Sequence, residues 1–371
     1  MNKSDDSRAN TLTDRLRERI NFGGPITFHD WMQAALYDER DGYYMQSGRV
    51  RQGRAGDYRT APEMSPLFAA SFAAYFAKLF TNLKRPPALT IFEAGAGGGH
   101  FAHGILESLR RDFPEVFAVT NYVIDEVSAE AGARVLERLT EFAPQVSFRR
   151  LAEIESVSDA GLVFTNELID AFPVHRVIMR GGVLRELYVT VNEGRFGWVE
   201  GALEAAVSDY CRRIDLKMRE GQIAEINLAV EHFIERSARL FDRGYLITVD
   251  YGATRAELLS SPDRVAGTLR AFRRHQMMAD PLADPGRQDL TTTIDWTQVI
   301  ETGKRAGFQP LCLDRLDQFL LKEGSNLIAR IATSAPDNAE RMRLLTGARE
   351  LILPTGLAAS FQVCVQEKIA A

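Results

Sequence analysis

Glu93-Ala94-Gly95-Ala96-Gly97-Gly98-Gly99 lies between an apolar run and a helical pattern, and this segment decides the fold. The preceding residues, Leu89 to Phe92, have the pattern of a buried strand, and Phe101, Ile105 and Leu109 after it recur with helical spacing. A helix that begins directly after a strand presents unpaired backbone N–H groups, and glycines leave room for an anionic group to approach them. The segment therefore predicts a ligand-binding turn. A tight turn without a ligand is the alternative.

The class of ligand follows from the residues around these glycines. A dinucleotide-binding turn reads G-x-G-x-x-G, but His100 occupies the sixth position here, and Glu93 precedes Gly95 by two residues. This arrangement matches the E-x-G-x-G-x-G turn of class I methyltransferases, whose ligand carries an ammonium and a carboxylate. We therefore expect Glu93, Gly95, Gly97 and Gly99 to bind S-adenosylmethionine.

A second acidic position ends the next predicted strand, Asn121 to Val127. Asp125 and Glu126 stand where a carboxylate can accept both ribose hydroxyls of a nucleoside lying across the strand ends. Side chains alternate along a strand, so the two acids face opposite ways and only one of them points inward. We favour Glu126, with Asp125 as the second choice and a solvated strand end as the alternative.

Strands and helices alternate from this point in the pattern of a doubly wound sheet. The expected fold is α/β: a Rossmann-like class I methyltransferase core with a seven-stranded, mainly parallel sheet and an antiparallel last strand. An N-terminal helical region and helical or β insertions are added to this core. The predicted boundaries are 1–88 for the helical region with a cofactor-covering loop, 89–188 for the first part of the core, 189–243 for an insertion, and 244–371 for the rest of the core with a second insertion at 253–289.

Composition limits the function further. The formal net charge of -5 and a pI near 5.8 argue against a general nucleic-acid binder, because such proteins need a surplus of Lys and Arg. Three separated cysteines and six histidines without zinc spacing predict neither a disulfide framework nor a metal site. No run reaches the roughly 18 apolar residues of a membrane span, and Met1 to Asn10 has no signal-peptide pattern. These features predict a cytoplasmic bacterial protein.

The chain resembles the MidA-like methyltransferase family over most of its length, on landmarks that occur in one order. The resemblance implies protein-arginine methylation, because mitochondrial members dimethylate an arginine on a subunit of respiratory complex I. The landmarks besides the glycine loop are Gly24-Pro25-Ile26, Gly42-Tyr43-Tyr44, Gly56-Asp57-Tyr58-Arg59-Thr60-Ala61-Pro62-Glu63, Asn166-Glu167-Leu168-Ile169-Asp170-Ala171-Phe172-Pro173-Val174, Asp250-Tyr251-Gly252, Thr268-Leu269-Arg270 with His275, and Asp289-Leu290-Thr291.

Candidate acceptor residues follow the strand Gly161 to Thr165. Methyl transfer is an in-line displacement that depends on positioning, and a guanidinium needs carboxylates to hold its N–H groups. Glu167 is the first choice for this role and Asp170 the second, while Asn166 could contact the amino group of the cofactor or the acceptor. The alternative is structural: Asp170 caps the turn before Pro173 and Glu167 is solvated.

Further candidates lie outside the strand ends. The resemblance implies that Asp57, Thr60, Pro62 and Glu63 fold over the cofactor, although a plain surface loop would have the same composition. His275, in a predicted helix, is either a catalytic base or a structural histidine.

We therefore expect a protein-arginine methyltransferase whose partner is a protein substrate, a respiratory-complex subunit included. Two alternatives remain: methylation of a small molecule or another side chain, and a cofactor-bound assembly factor with little catalysis. The oligomeric state is open, a homodimer included.

Overall fold

The computed structural model describes residues 11–48, 61–155, 158–326, 328–329, 346–353 and 356–369. The chain forms two compact units. Unit 1 contains residues 1–49, 172–229 and 259–292, and unit 2 contains residues 50–171, 230–258 and 293–371. Among the described residues, no helix is long and apolar enough to cross a membrane.

The helices of the described residues are α1 (Leu12–Gly23), α2 (Phe28–Tyr37), α3 (Ala61–Met64), α4 (Pro66–Asn82), α5 (His100–Asp112), α6 (Pro114–Phe117), α7 (Ala129–Arg138), α8 (Ala205–Arg213), α9 (Ala229–Ala238), α10 (Arg255–Ser260), α11 (Trp296–Arg305) and α12 (Leu316–Glu323). The strands are β1 (Ile26–Thr27), β2 (Leu89–Ala94), β3 (Thr120–Asp125), β4 (Val146–Phe148), β5 (Ser158–Asn166), β6 (His175–Arg180), β7 (Val183–Asn192), β8 (Arg195–Gly201), β9 (Ile223–Ile226), β10 (Phe241–Asp250), β11 (Gly252–Ala253), β12 (Arg270–Arg273), β13 (Gln276–Met278), β14 (Asp289–Thr291), β15 (Ile294–Asp295), β16 (Phe308–Arg315) and β17 (Gln362–Lys368).

Unit 2 contains a seven-stranded sheet in the order β16-β17-β10-β5-β2-β3-β4. The strands from β10 to β4 pair in parallel, whereas β17 pairs antiparallel with both β10 and β16. This arrangement confirms the predicted α/β class with its mainly parallel sheet and antiparallel last strand. The carboxyl ends of β2, β3, β5 and β10 lie at one edge, where ligands of such sheets bind.

The core of unit 2 explains why these strands lack the period-two alternation of a half-exposed sheet. Every residue of β2 is buried, as expected for a parallel strand covered on both faces. On one face α4 and α5 bring Phe72 and Phe101 against Phe164 of β5, and the rings of Phe101 and Phe164 stack with centroids 3.9 Å apart. Each such ring stabilises the fold by roughly 1.5–3 kcal/mol when fully buried.

Unit 1 has a five-stranded antiparallel sheet in the order β1-β7-β6-β9, with β8 also paired to β7, and a three-stranded sheet β13-β12-β14. The β7–β8 hairpin turns at Glu193 and Gly194, which both have positive φ, as two-residue hairpin turns require. The predicted core segment 89–188 therefore extends too far along the chain. Its last strands belong to the sheet of unit 1, where β6 pairs with β7 and β7 pairs with β1.

The helix predicted around His275 is wrong. Residues 270–278 form a β-hairpin, β12–β13, and Arg274 and His275 at its turn have φ of 51° and 60°. Only Ala271 of β12 is buried, so the segment has no apolar stripe at helical spacing.

Candidate active site

The glycine segment turns sharply between β2 and α5. Gly95, Gly97 and Gly99 have φ of 75°, 55° and 72°, a left-handed region that L side chains rarely adopt. A Cβ atom on Gly95 would lie 2.9 Å from Cδ1 of Leu168, and one on Gly99 would lie 3.2 Å from Val135. The glycines therefore allow a close passage of backbone at the start of α5, where N–H groups face the edge of the sheet.

Glu126 lies directly against this loop. Its Oε2 accepts the N–H of Gly97 at 2.9 Å, and its Oε1 accepts the N–H of Ser128, the N-cap of α7, at 2.9 Å. Asp125 points elsewhere: it accepts the N–H of Leu151 at 2.8 Å and contacts Nε of Arg150 at 3.1 Å. Of the two acids, Glu126 is the one beside the ligand turn.

Glu93 is buried beneath the turn, with 4% of its surface exposed. The hydroxyl of Tyr122 on β3 donates to its Oε2 at 2.7 Å. Burial raises the pKa of Glu93 to about 7, because desolvation disfavours the carboxylate more than the Tyr122 hydrogen bond stabilises it. Glu93 therefore supports the loop from inside the core.

Two neighbours hold the outer side of the loop. Arg138 at the end of α7 donates from Nε to the carbonyl of Gly98 at 2.7 Å. The helix α3 places Oε1 of Glu63 3.8 Å from Nε2 of His100, the first residue of α5. Burial, and then the charge of Arg138, lower the pKa of His100 to about 4, so its imidazole is neutral at pH 7.

The end of β5 carries the predicted acceptor residues. Glu167 has a left-handed φ of 51° and donates its N–H to the carbonyl of Val249 on β10 at 3.0 Å. Nδ2 of Asn166 donates to Oε1 of Glu167 at 3.1 Å. Backbone strain of this kind in a residue other than glycine is typical of functional sites.

Asp170 follows in a short 3-10 helix, and it lies next to two residues that we did not predict as site residues. Tyr251 donates its hydroxyl to Oδ2 of Asp170 at 2.6 Å, and Oδ2 of Asp250 accepts the N–H of Asp170 at 3.3 Å. Burial, followed by the charges of Asp170 and Glu167, raises the pKa of Asp250 well above its ordinary value. Three carboxyl groups therefore lie within electrostatic range of one another at the ends of β5 and β10.

The remaining site candidates are Asp57, Thr60, Pro62 and His275. Asp57 and Thr60 lie outside the described residues, and Pro62 is in α3 beside Glu63. His275 is exposed at a hairpin turn of unit 1, whereas the glycine loop and the acids belong to unit 2. Among the residues described, no group of three or more His, Cys, Asp or Glu side chains is arranged to hold a metal ion.

The edge of the sheet in unit 2 has the parts that an adenosine ligand with an amino-acid tail requires. N–H groups at the start of α5 suit an anion, and the carboxylate of Glu126 suits a pair of hydroxyls. The glycine turn has no room for a side chain at Gly95, because an added Cβ would lie 2.9 Å from Cδ1 of Leu168. This fold, with the ligand turn after β2 and an acid after β3, defines a class I S-adenosylmethionine-dependent methyltransferase.

Comparison with known families agrees with this class. The chain belongs to the family described as "Putative S-adenosyl-L-methionine-dependent methyltransferase", whose model matches residues 71–313. It is an S-adenosylmethionine-dependent methyltransferase.

Two curated relatives match nearly the whole chain. The mitochondrial protein arginine methyltransferase NDUFAF7 homolog of Drosophila melanogaster is 25% identical over 95% of this chain and 84% of its own length. The mitochondrial protein arginine methyltransferase NDUFAF7 of Danio rerio is 26% identical over 95% and 86%. A crystal structure of a likely methyltransferase from Burkholderia thailandensis bound to S-adenosylhomocysteine superposes with a TM-score of 0.85 at 28% identity, covering 97% of this chain and 92% of that one.

The expected cytoplasmic location is contradicted by these curated relatives, whose names place them in mitochondria. The three separated cysteines were one basis of the expectation, and Cys211, Cys312 and Cys364 are free thiols. Free thiols indicate a reducing compartment without distinguishing one such compartment from another.

Proposed function

We propose that this enzyme methylates an arginine side chain of a protein substrate. The observation that carries the proposal is the arrangement of three carboxyl groups, Glu167, Asp170 and Asp250, at the adjoining ends of β5 and β10. An arginine guanidinium stays charged at neutral pH and has N–H donors in a planar fork, so it matches a concentration of carboxylates better than a neutral acceptor would.

Glu167 is the residue we assign to the acceptor guanidinium. Its carboxyl is half-buried, and Asn166 fixes its Oε1 by a hydrogen bond. Asp170 is 4% exposed and supplies negative charge behind Glu167. Two acids at one strand end can hold two N–H groups of the guanidinium and direct its third nitrogen. Binding of the substrate then supplies the free energy that alignment of the acceptor requires.

Cofactor binding is assigned to the opposite side of the edge. Glu126 accepts the ribose hydroxyls, the glycine turn receives the amino-acid tail, and Glu93 supports the turn; Pro62 and Glu63 lie on α3 near the start of α5. When bound, S-adenosylmethionine supplies an electrophilic methyl group on a sulfonium that retains the electron pair of the broken C–S bond. Glu167 and Asp170 would hold the acceptor nitrogen toward that methyl, and a carboxylate of the pair would take the proton that the methylated nitrogen loses.

The printed names of the relatives support this assignment, because both are called protein arginine methyltransferases. An identity of 25–26% supports arginine as the class of acceptor, and it supports the choice of one particular substrate protein less strongly. We extend the proposal to a subunit of a respiratory complex as the partner on the family resemblance alone.

A labelling experiment tests the proposal. Wild-type enzyme and the Glu167→Gln variant are incubated with isotopically labelled S-adenosylmethionine and a lysate of the source organism, and labelled peptides are sequenced by mass spectrometry. We expect label on an arginine with wild type and at least about 100-fold less with the variant, since one acceptor-holding charge is lost. Equal cofactor affinity of the two proteins by calorimetry is the control. Label found only on small molecules or on other side chains would overturn the proposal.

A further inference from the structure

Two residues lie behind the acceptor site, Asp250 and Tyr251, and neither has been assigned a task in holding Glu167 or Asp170. Asp250 is the last residue of β10 and Tyr251 follows it, and the register of that strand pairs Val249 with Asn166 on β5. The parallel pairing therefore places Asp250 beside Glu167 at the edge of the sheet. Asp250 is fully buried, so it cannot touch an acceptor itself.

Asp250 connects two backbone segments. Its Oδ1 accepts the N–H of Tyr251 at 2.9 Å and its Oδ2 accepts the N–H of Asp170 at 3.3 Å. One side chain thus joins the end of β10 to the short helix that carries Asp170. Removing a carboxyl that accepts two buried N–H groups leaves both donors unsatisfied, which costs more than an exposed bond would.

Tyr251 fixes the side chain of Asp170 instead of its backbone. Its hydroxyl donates to Oδ2 of Asp170 at 2.6 Å, a short hydrogen bond. The ring of Tyr251 packs edge-on against Phe361 at a centroid distance of 5.5 Å, and the next residue, Gly252, donates its N–H to Gln362 at 3.0 Å. The ring contact and the Gly252 hydrogen bond therefore fix the position from which the hydroxyl donates to Asp170.

We propose that Asp250 and Tyr251 are positioning residues for methyl transfer: Asp250 holds the backbone of Asp170, and Tyr251 sets the orientation of its carboxylate toward the acceptor. The inference rests on the proposed function. Asp170 then keeps one orientation behind Glu167, and the acceptor meets a pair of acids that is already arranged.

The test is a double-mutant cycle with a matched control. Tyr251→Phe removes only the hydroxyl. Tyr245→Phe is the control, because Tyr245 lies within β10, away from its carboxyl end, and donates a comparable bond, at 2.6 Å, to Glu367 of β17. Steady-state methylation of the acceptor peptide, cofactor affinity and Tm are measured for both, for Asp170→Asn, and for Asp170→Asn with Tyr251→Phe.

We expect Tyr251→Phe to lower kcat/KM for the acceptor about 10-fold, mostly through KM, with cofactor affinity within about 2-fold of wild type. The double variant should be no slower than Asp170→Asn, because the hydroxyl acts only through that carboxylate. The inference is overturned if Tyr251→Phe behaves like Tyr245→Phe in kcat/KM, or if the two losses multiply.

Asp250 is tested by rescue. Asp250→Ala should lower kcat/KM at least as much as Tyr251→Phe, and Asp250→Asn, which keeps an oxygen acceptor, should recover part of it. Equal losses in both variants at matched Tm would contradict the assignment of Asp250. A wild-type enzyme that labels no arginine refutes the proposed function and this inference with it, whereas a labelled arginine with an inert Tyr251→Phe change refutes the inference alone.

Discussion

Glu126 accepts the backbone N–H of Gly97 through Oε2 at 2.9 Å, so the acid that follows β3 is in direct contact with the turn that follows β2. The contact results from the parallel register of the two strands, in which Ala94 pairs with Asp125. The glycine turn and Glu126, 29 residues apart in the chain, thus meet at one edge of the sheet, and each can be tested separately.

Replacing Gly97 by valine should abolish cofactor binding. The residue has φ of 55°, where a side chain costs about 1–2 kcal/mol, and the turn must shift away from Glu126 to relieve that strain. Gly194→Val is the control: Gly194 has φ of 77° in the β7–β8 turn of unit 1, with nothing within 4 Å of an added Cβ. Calorimetry should show loss of S-adenosylhomocysteine binding in the first variant only. Unchanged affinity for Gly97→Val would contradict the site assignment.

The two acids at the end of β3 should differ in role, Glu126 acting in cofactor binding and Asp125 in stability. Glu126→Gln should raise the Kd for S-adenosylhomocysteine about 10–100-fold, because an amide has one acceptor oxygen where the carboxylate has two. Asp125→Asn should lower Tm through its lost contacts with Leu151 and Arg150 and leave Kd within about 3-fold of wild type. The opposite pattern would assign the ribose to Asp125.

Glu93 should make stability depend on pH. Its pKa of about 7 in the folded protein lies above the ordinary value of 4.5, so the folded state binds the proton more tightly than the unfolded state. The free energy of unfolding should therefore fall by about 1.4 kcal/mol per pH unit as the pH rises from roughly 5 to 7. Urea unfolding of wild type and Glu93→Gln at several pH values measures this difference. A difference between the two proteins that stays constant with pH would refute the prediction.

The hydrogen bond from Arg138 to the glycine loop should contribute modestly to cofactor affinity. Arg138→Met removes the Nε hydrogen bond to the buried carbonyl of Gly98 and should raise the cofactor Kd about 3–10-fold. Arg134→Met on the same helix removes only an exposed ion pair with Glu130, which typically contributes under about 1 kcal/mol. Equal effects of the two variants on Kd would mean that the contact with Gly98 does not shape the turn.

The core of unit 2 was predictable because its patterns are local. A strand that ends at Ala94, three spaced glycines and a helix from His100 follow one another within a dozen residues, and each has its own propensity. The choice of Glu126 over Asp125 as the acid beside the turn agrees with side-chain alternation, and its contact with the ribose stays a prediction.

What could not be predicted depends on pairing over long distances. Asp250 was a motif residue without a role, because only the register of β10 against β5 shows that it lies beside Asp170, 80 residues earlier. Unit 1 was hidden for the same reason: Ile26 pairs with Val189 across most of the first half of the chain. The short strand around Ala271 was not predicted, because three arginines surround its one buried residue and leave no apolar pattern.

The position of β17 between β10 and β16 has a consequence for how the protein is made. A ribosome delivers β10 long before β17, since about 110 residues separate Asp250 from Gln362, and synthesis at 5–20 residues per second takes roughly 5–20 s over that length. Throughout that interval the nascent chain carries an open strand edge that ends at the proposed acceptor site. An unpaired edge of this kind is a template for pairing with other chains, so the interval before β17 is the time at which this sheet is most open to aggregation.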